Sequence, residues 1–409
     1  MAGRVAYEPA SVKDLLVEMK DTAELLIDLS YSAVLHGSDD IAAEVLKLEE
    51  RMDVLQLRAR MSLMMAARNP EDAETLAPVL GIVGAAEKIS DAAGDIAKVV
   101  VEDMGVPEAI RTALPEAVES VARAYLDAAS EYATRTLGDV NLETETGVRV
   151  IAIRRGDADT EWLLNPDAET TLQPDDVLFL RGVEDGLADV YEAATGADYE
   201  PAAHVEPDIA DLERAVDSLV MMKNMSELAV DLAYGAVLFD SEEIAAEVVE
   251  LEAEVDALKT RFEAWVLRAA ADVHDPVSLR GLVHLANATE VISDAALEIS
   301  EGVLRGLDTH VVVQEAVEES DEVIVRETVE PGSDLDGRTL GDADVETETG
   351  MRVIAVRRPE EYDAGRGLER DGEDRWVVQP GPDTTVYAGD VLLAKGTRAG
   401  ADRLADATS

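Results

Sequence analysis

Apolar residues along the chain follow two successive periods. Leu15, Met19, Leu26, Leu29 and Ala33 recur at helical spacing, as do Ile41, Val45, Leu48, Met52 and Leu55, and then Leu80, Val83, Ile89, Ile96 and Val100. Three long helices are predicted, with breaks at His36-Gly37-Ser38 and Asn69-Pro70. From about residue 118 the period shortens to two, in runs bounded by glycine and rich in β-branched residues. Val148 to Ile153 and Asp176 to Leu180 read as strands of a small α+β unit. Further on, Val323-Ile324-Val325 leads to Val329-Glu330-Pro331-Gly332, a strand and its turn, where the earlier stretch AYLDAASEYA from Ala124 could pass for helix.

The change of period happens twice because the chain is duplicated. KDTAELLIDLSYSAVL from Lys20 returns as KNMSELAVDLAYGAVL from Lys223, an offset of 203, and EKISDAAGDI from Glu87 returns as EVISDAALEI from Glu290. RTLGDVNLETETGVRVIAIRR from Arg135 matches RTLGDADVETETGMRVIAVRR from Arg338 at the same offset. Beyond Arg155 and Arg358 the offset becomes 214, pairing Trp162 with Trp376 and Asp176 with Asp390. The extra stretch PEEYDAGRGLERDGEDR in the second copy reads as an exposed hairpin loop. Four segments follow: helices over 8–106, an α+β domain over 118–196, helices over 207–309 and a second α+β domain over 321–409. The fold class expected is α and α+β multidomain, and the two three-helix segments are expected to close on each other as one six-helix unit, since three helices alone enclose little.

Charge changes this picture in one respect. With 88 Asp and Glu against 35 Lys and Arg, the net charge is −53, so the surface repels phosphate and direct nucleic-acid binding is not expected. The 47% of hydrophobic residues argues against disorder. Dispersed carboxylates with few lysines resemble the bias of salt-in halophiles, where the Debye length of about 3 Å at 1 M salt screens self-repulsion. There is no cysteine, hence no disulfide and no thiolate chemistry. The start MAGRVAYEPA lacks a signal core and no stretch reaches membrane-spanning length, so a cytoplasmic protein is expected, peripheral to the membrane through a partner.

The sub-motifs Arg-Thr-Leu-Gly-Asp, Glu-Thr-Glu-Thr-Gly, the Val/Ile strand ending in Arg, and Asp-Asp-Val-Leu (Gly-Asp-Val-Leu from Gly389) resemble the RCK C-terminal domain, or TrkA-C. The helical segments, with their Glu-x-Ile-x-Asp run, resemble halves of a PhoU domain. No Gly-x-Gly-x-x-Gly turn or phosphate-cradling Gly-Lys-Ser/Thr loop is present, which argues against dinucleotide sensing and NTPase chemistry. The resemblance implies a non-enzymatic regulator of potassium or other cation transport, acting on a membrane channel or antiporter subunit. It also implies paired TrkA-C domains, here as an intrachain pseudo-dimer, with a homodimer as a further arrangement. The alternatives are a PhoU-like adaptor of phosphate uptake signalling and a structural scaffold without a ligand.

Two sets of residues are candidates for ligand contact. Carboxylates four apart share a helix face and can present oxygens to one cation: Glu24 and Asp28, Glu49 and Asp53, and Glu87, Asp91 and Asp95, matched by Glu227 and Asp231, Glu252 and Asp256, and Glu290, Asp294 and Glu298. PhoU-like proteins use such pairs to hold metal clusters; in a chain this acidic the same spacing also makes a solvated face. Matched arginines, Arg135, Arg149 and Arg155 with Arg338, Arg352 and Arg358, suit an anionic effector or neutralise neighbouring acids, and on the strand Arg149 and Arg155, three alternations apart, are expected on one face with Arg154 on the other. In the resembling family some members bind cyclic di-AMP in the groove between partners. Glu143 and Glu145, and Glu346 and Glu348, would share one face of a strand there and repel it, so a divalent cation or a different effector is an equal candidate. No Ser/His/Asp set repeats, and the five histidines do not correspond between copies.

Overall fold

The computed structural model describes residues 11–114, 120–156, 161–182, 184–199, 209–307, 310–320, 322–358 and 376–409. The predicted boundaries at 8, 118, 207, 309 and 321, and the extra loop of the second copy, lie outside the described residues. The first copy runs α1 (Val12–His36), α2 (Asp39–Ala66), α3 (Pro70–Val101), α4 (Glu108–Ala113), β1 (Ser120–Tyr125), α5 (Leu137–Val140), α6 (Leu142–Thr146), β2 (Arg149–Arg155), β3 (Glu161–Leu164), β4 (Val177–Gly182) and α7 (Glu184–Thr195). The second runs α8 (Ala210–Phe239), α9 (Glu242–Asp272), α10 (Arg280–Leu304), α11 (Val311–Glu319), β5 (Val323–Thr328), α12 (Val345–Thr349), β6 (Met351–Arg357), β7 (Trp376–Val378), β8 (Val391–Gly396) and α13 (Arg398–Thr408). The chain is an α and α+β multidomain protein. It divides into two compact units: a helical one from residues 1–120 and 201–320, and an α+β one from 121–200 and 321–409.

In the helical unit, α1 ends on Gly37 in the left-handed conformation and Ser38 caps α2 by accepting from the Ile41 amide. The second copy repeats the device with Asp240, also left-handed, and Ser241. The predicted apolar stripes of α1 and α2 are buried in full. On α3 Leu76 and Val79 are buried, while Leu80 is 40% exposed. The helix runs on through Pro78, so Val79 sits two turns before Ala86 and Leu80 falls off the stripe. The two segments close on each other, with α3 packed against α10. Each copy reaches into the other: Lys20 lies over the Tyr234 ring and Lys223 over the Tyr31 ring, both at 5.3 Å, and Tyr31 hydrogen-bonds Thr289 at 2.7 Å. At one end the Gly281 amide donates to the Gly105 carbonyl at 3.1 Å.

The α+β unit holds two antiparallel four-stranded sheets, ordered β1-β4-β2-β3 and β5-β8-β6-β7. The AYLDAASEYA stretch begins as the end of β1 and continues as turns, with Ser130 donating to the Ala193 carbonyl. Two expectations are corrected here. The Glu-Thr-Glu-Thr-Gly segments are single helical turns, α6 and α12, stopped by Gly147 and Gly350 at φ of 68° and 73°. Glu143 and Glu145 therefore do not share a strand face. Secondly, β2 carries a bulge between Val150 and Ala152, repeated in β6 between Val353 and Ala355. The bulge reverses the alternation, so Arg149 and Arg155 lie on opposite faces.

The cross-copy approach at Gly105 can be tested directly. A Cβ on Gly281 would come within 2.1 Å of the Gly105 carbonyl oxygen, whereas one on exposed Gly81 of α3 meets nothing. Gly281→Ala should destabilise by about 1–3 kcal/mol, and Gly81→Ala should stabilise by about 0.5–1 kcal/mol. Urea titrations of both variants check the pair; equal effects would rule out the close packing.

Candidate functional site

The acidic sets separate in the structure. Glu24 pairs with buried Lys20 at 2.9 Å and Glu227 with buried Lys223 at 2.7 Å. The α1 and α8 sets thus neutralise internal lysines, and Asp28 and Asp231 stay with those helices. On α2 and α3, Asp53, Glu87 and Asp91 bring carboxylate oxygens within 4.8 Å of one another, the one such trio found among the described residues. Burial raises the pKa of Glu87 above the ordinary carboxylate range, with Asp91 adding to it. Burial likewise raises Asp91, reinforced by Asp53 and Asp95. Glu49 is raised by burial against Lys98, which lies 3.6 Å from it and 2.9 Å from Asp95.

The second copy answers the same charge differently. Lys259 on α9 ion-pairs Glu290 at 2.6 Å. The equivalent residue in the first copy is Gln56, 5% exposed, whose amide adjoins Glu87 while its Nε2 closes no regular hydrogen bond. Glu298 is engaged by Lys88. Burial still raises Glu252 and Asp294, with Asp256 and Glu290 as the charged neighbours. Carboxylate and amide oxygens are hard donors that suit a divalent cation. Asp53, Glu87 and Asp91 fit one, whereas the corresponding place in the second copy has the Lys259 ammonium beside Glu290.

In the α+β unit the arginines fall into two groups. Arg155 grips Asp176 through both oxygens, at 2.7 and 2.8 Å, and donates to the Thr171 carbonyl. Arg358 donates to the Thr385 carbonyl at 2.8 Å, with Asp390 at 3.7 Å. Arg135 and Arg338 bond the carbonyls of Asp139 and Asp342 in their own turns. These four arginines hold the fold of their own copies.

Arg149 belongs to the second group. It lies 3.9 Å from Glu143 and 3.8 Å from Glu322 of the other copy. Glu322 is 5% exposed, bonds Arg181 and also meets Lys395 at 3.1 Å. Arg181 stands opposite Arg149 in the sheet as Lys395 stands opposite Arg352. Close by, α6 packs on α12, Glu346 lies against Gly147, and Arg403 donates to Glu145 at 2.6 Å, which lowers the Glu145 pKa. Arg181, Lys395 and Glu322 are not among the sequence candidates; Arg181 and Lys395 do match at the offset of 214, as basic residues of unlike type.

Comparison with known proteins agrees with this layout. The TrkA-C domain model matches residues 121–195 and 324–408, and the PhoU domain model 16–100 and 219–303. Both are regulatory, non-catalytic domain families. Among solved structures, PhoU from Pseudomonas aeruginosa is similar at 12% identity and TM-score 0.40, covering 72% of this chain and 96% of that one. The GsuK RCK domain is similar at 14% identity and TM-score 0.17, covering 70% of this chain and 62% of its own, and the GsuK channel bound to NAD at 14% and 0.18, covering 80% and 65%. The chain thus spans just under two thirds of those GsuK chains. No curated protein matches. Among the described residues no helix is long and apolar enough to cross a membrane. With all four segments matched in alternation, the chain is a tandem PhoU and TrkA-C domain protein, each domain present twice.

Proposed function

We propose that this chain is a non-enzymatic, cytoplasmic regulator of potassium or other cation transport, whose TrkA-C copies sense a small effector between them and whose PhoU-like unit acts on a membrane channel or antiporter subunit. The observation that carries the reading is the convergence of charged groups from both copies: Arg149, Arg181 and Glu143 from the first, with Glu322, Lys395 and Glu346 from the second. Such a place responds to how the copies sit against each other, which is what a ligand bound there would alter. Since Glu143 and Glu145 lie on a helical turn and each faces a cation, the repulsion expected against cyclic di-AMP is eased in the first copy. Cyclic di-AMP is therefore the effector class proposed here, and a divalent cation the ligand proposed for Asp53, Glu87 and Asp91.

A second reading, an adaptor of phosphate uptake signalling, is favoured by the two PhoU matches. Cells lacking the chain separate the two: altered potassium uptake with normal phosphate uptake supports the first, and the reverse supports the second.

Equilibrium dialysis in molar KCl should find cyclic di-AMP bound by the wild type, and weakened about tenfold or more in Arg149→Gln with Arg352→Gln, since each removes a charge-assisted donor. Equal binding by wild type and variant places the effector elsewhere.

The carboxylate cluster predicts a pH signature. A carboxyl whose folded pKa is raised penalises the fold above that pKa, and the penalty fades as pH falls through it. In metal-free protein the melting temperature should therefore rise as pH falls from neutral toward the carboxylate range, more steeply for the wild type than for Asp91→Asn. Manganese should flatten the wild-type slope. Lys259→Gln should add a second metal equivalent by elemental analysis; unchanged metal content in both variants identifies the acids as a solvated face.

A further inference from the structure

The chain enters β5 from α11, and α11 is fastened to the opposite copy. It packs on α1 of the first copy and α8 of the second, the same two helices that α4 packs on. At its end Ser320, 1% exposed, accepts from the Lys20 ammonium at 2.7 Å and donates to Asp21 at 2.6 Å. Both bonds are charge-assisted and sheltered from water, so they outweigh the exposed pair of Lys13 and Glu319 beside them. The other copy has no means to repeat this clasp. There α4 stops short of Pro115, whereas Glu318 at the matching position lets α11 run on to Glu319. Ser320 is matched by Ala117, which has no hydroxyl, and Lys13 and Asp21 by Val216 and Asn224. Beneath α11 the seat is loosely filled. A small cavity is lined by Leu16, Met19, Ala86 and Tyr234 of the bundle and by Val313 and Val317 of α11. Thr289 stands in place of Ala86 in the other copy and Leu114 in place of Val317, and Thr289 reaches Tyr31 at 2.7 Å. Atoms that fill the one seat are missing from the other, and the lining of a void forgoes its contacts. Ser320 carries correspondingly more of the attachment.

We infer that α11 is a releasable strap: Ser320 is its catch, and opening that catch frees the chain ahead of β5 while α1, α3 and α10 stay packed. β5 begins at Val323, a short step beyond Ser320, so a pull on the strand reaches the catch first. Lys20 keeps Glu24 at 2.9 Å when Ser320 leaves, so no buried charge is stranded. The second α+β domain is then joined to the helices through a link that can open, and the first through one that lacks the catch. This adds a conformational device to the proposed regulator and needs no particular effector.

The test is amide hydrogen exchange, read by mass spectrometry on the full chain in molar KCl. In the wild type α11 should exchange faster than α3 and α10. Ser320→Ala, which copies Ala117, should speed exchange over α11 about tenfold or more, since two charge-assisted bonds go, and should leave α3 and α10 as they were. Ala86→Thr, which copies Thr289, should slow α11 alone by filling its seat. Unchanged exchange over α11 in either variant overturns the inference. So does faster exchange spread equally over α1, α3 and α10, or a Ser320→Ala chain that fails to fold, because either makes Ser320 part of the bundle's core and not a catch. Binding of cyclic di-AMP enters none of these readings. A chain that ignores that effector would leave the strap standing, and an inert α11 would leave the effector standing.

Discussion

Closure of one three-helix segment by the other is the constraint on which the helical unit depends. Three amphipathic helices leave an apolar face open, and the interval of 203 residues means that the partner face lies far along the chain. Bringing the segments together traps polar residues, and both copies meet this in the same way. Lys20 and Lys223 are buried at 3% and 7% exposure, each neutralised by the glutamate four residues on and covered by the other copy's tyrosine. A lysine without that glutamate would be a costly buried charge. Glu24 and Glu227 are thus explained by the closure itself.

Duplication has been followed by division of labour. Gln56 and Lys259 stand at one position of the repeat, and this single difference changes what the neighbouring carboxylates require. Beside Lys259, Glu290 has an ammonium at 2.6 Å. Beside Gln56, carboxylates crowd together and burial pushes Glu87 and Asp91 toward protonation. Arg60 and Lys98 offset part of that charge, and Glu252 and Asp294 of the second copy are raised as well, so the copies differ in the cation that stands closest to the acids. Asymmetry of the same kind marks the α+β unit, where Arg403 pairs with Glu145 and the residue matching Arg403 in the first copy is Asp189.

The α+β domains show how much a small backbone irregularity directs chemistry. In each copy a bulge near the middle of the central arginine-ended strand turns the last arginine toward the Asp of the Asp-Val-Leu turn and leaves the first on the opposite face. One arginine then holds the domain together and the other is at hand for the partner copy. Without the bulge both would lie on one face, competing for the same acids.

The sequence alone determined the duplication, the alternation of helical and α+β segments and the helix breaks, because these rest on periodicity, glycine and proline placement and self-similarity, all local in the chain. It also marked Asp53, Glu87, Asp91, Glu143 and Arg149 as candidates, through spacing and recurrence. Tertiary structure decided which candidates meet. It set Glu24 and Glu227 against lysines, engaged Arg155 with Asp176, and assembled Arg181, Lys395 and Glu322 from the two copies. It also turned the Glu-Thr-Glu-Thr stretches into helical turns, where alternating threonines read as strand, because a left-handed glycine closed them. The physical reason is range: spacing within an element is written in neighbouring residues, while counter-charges across copies depend on register, bulges and closure that appear only when distant segments are packed together.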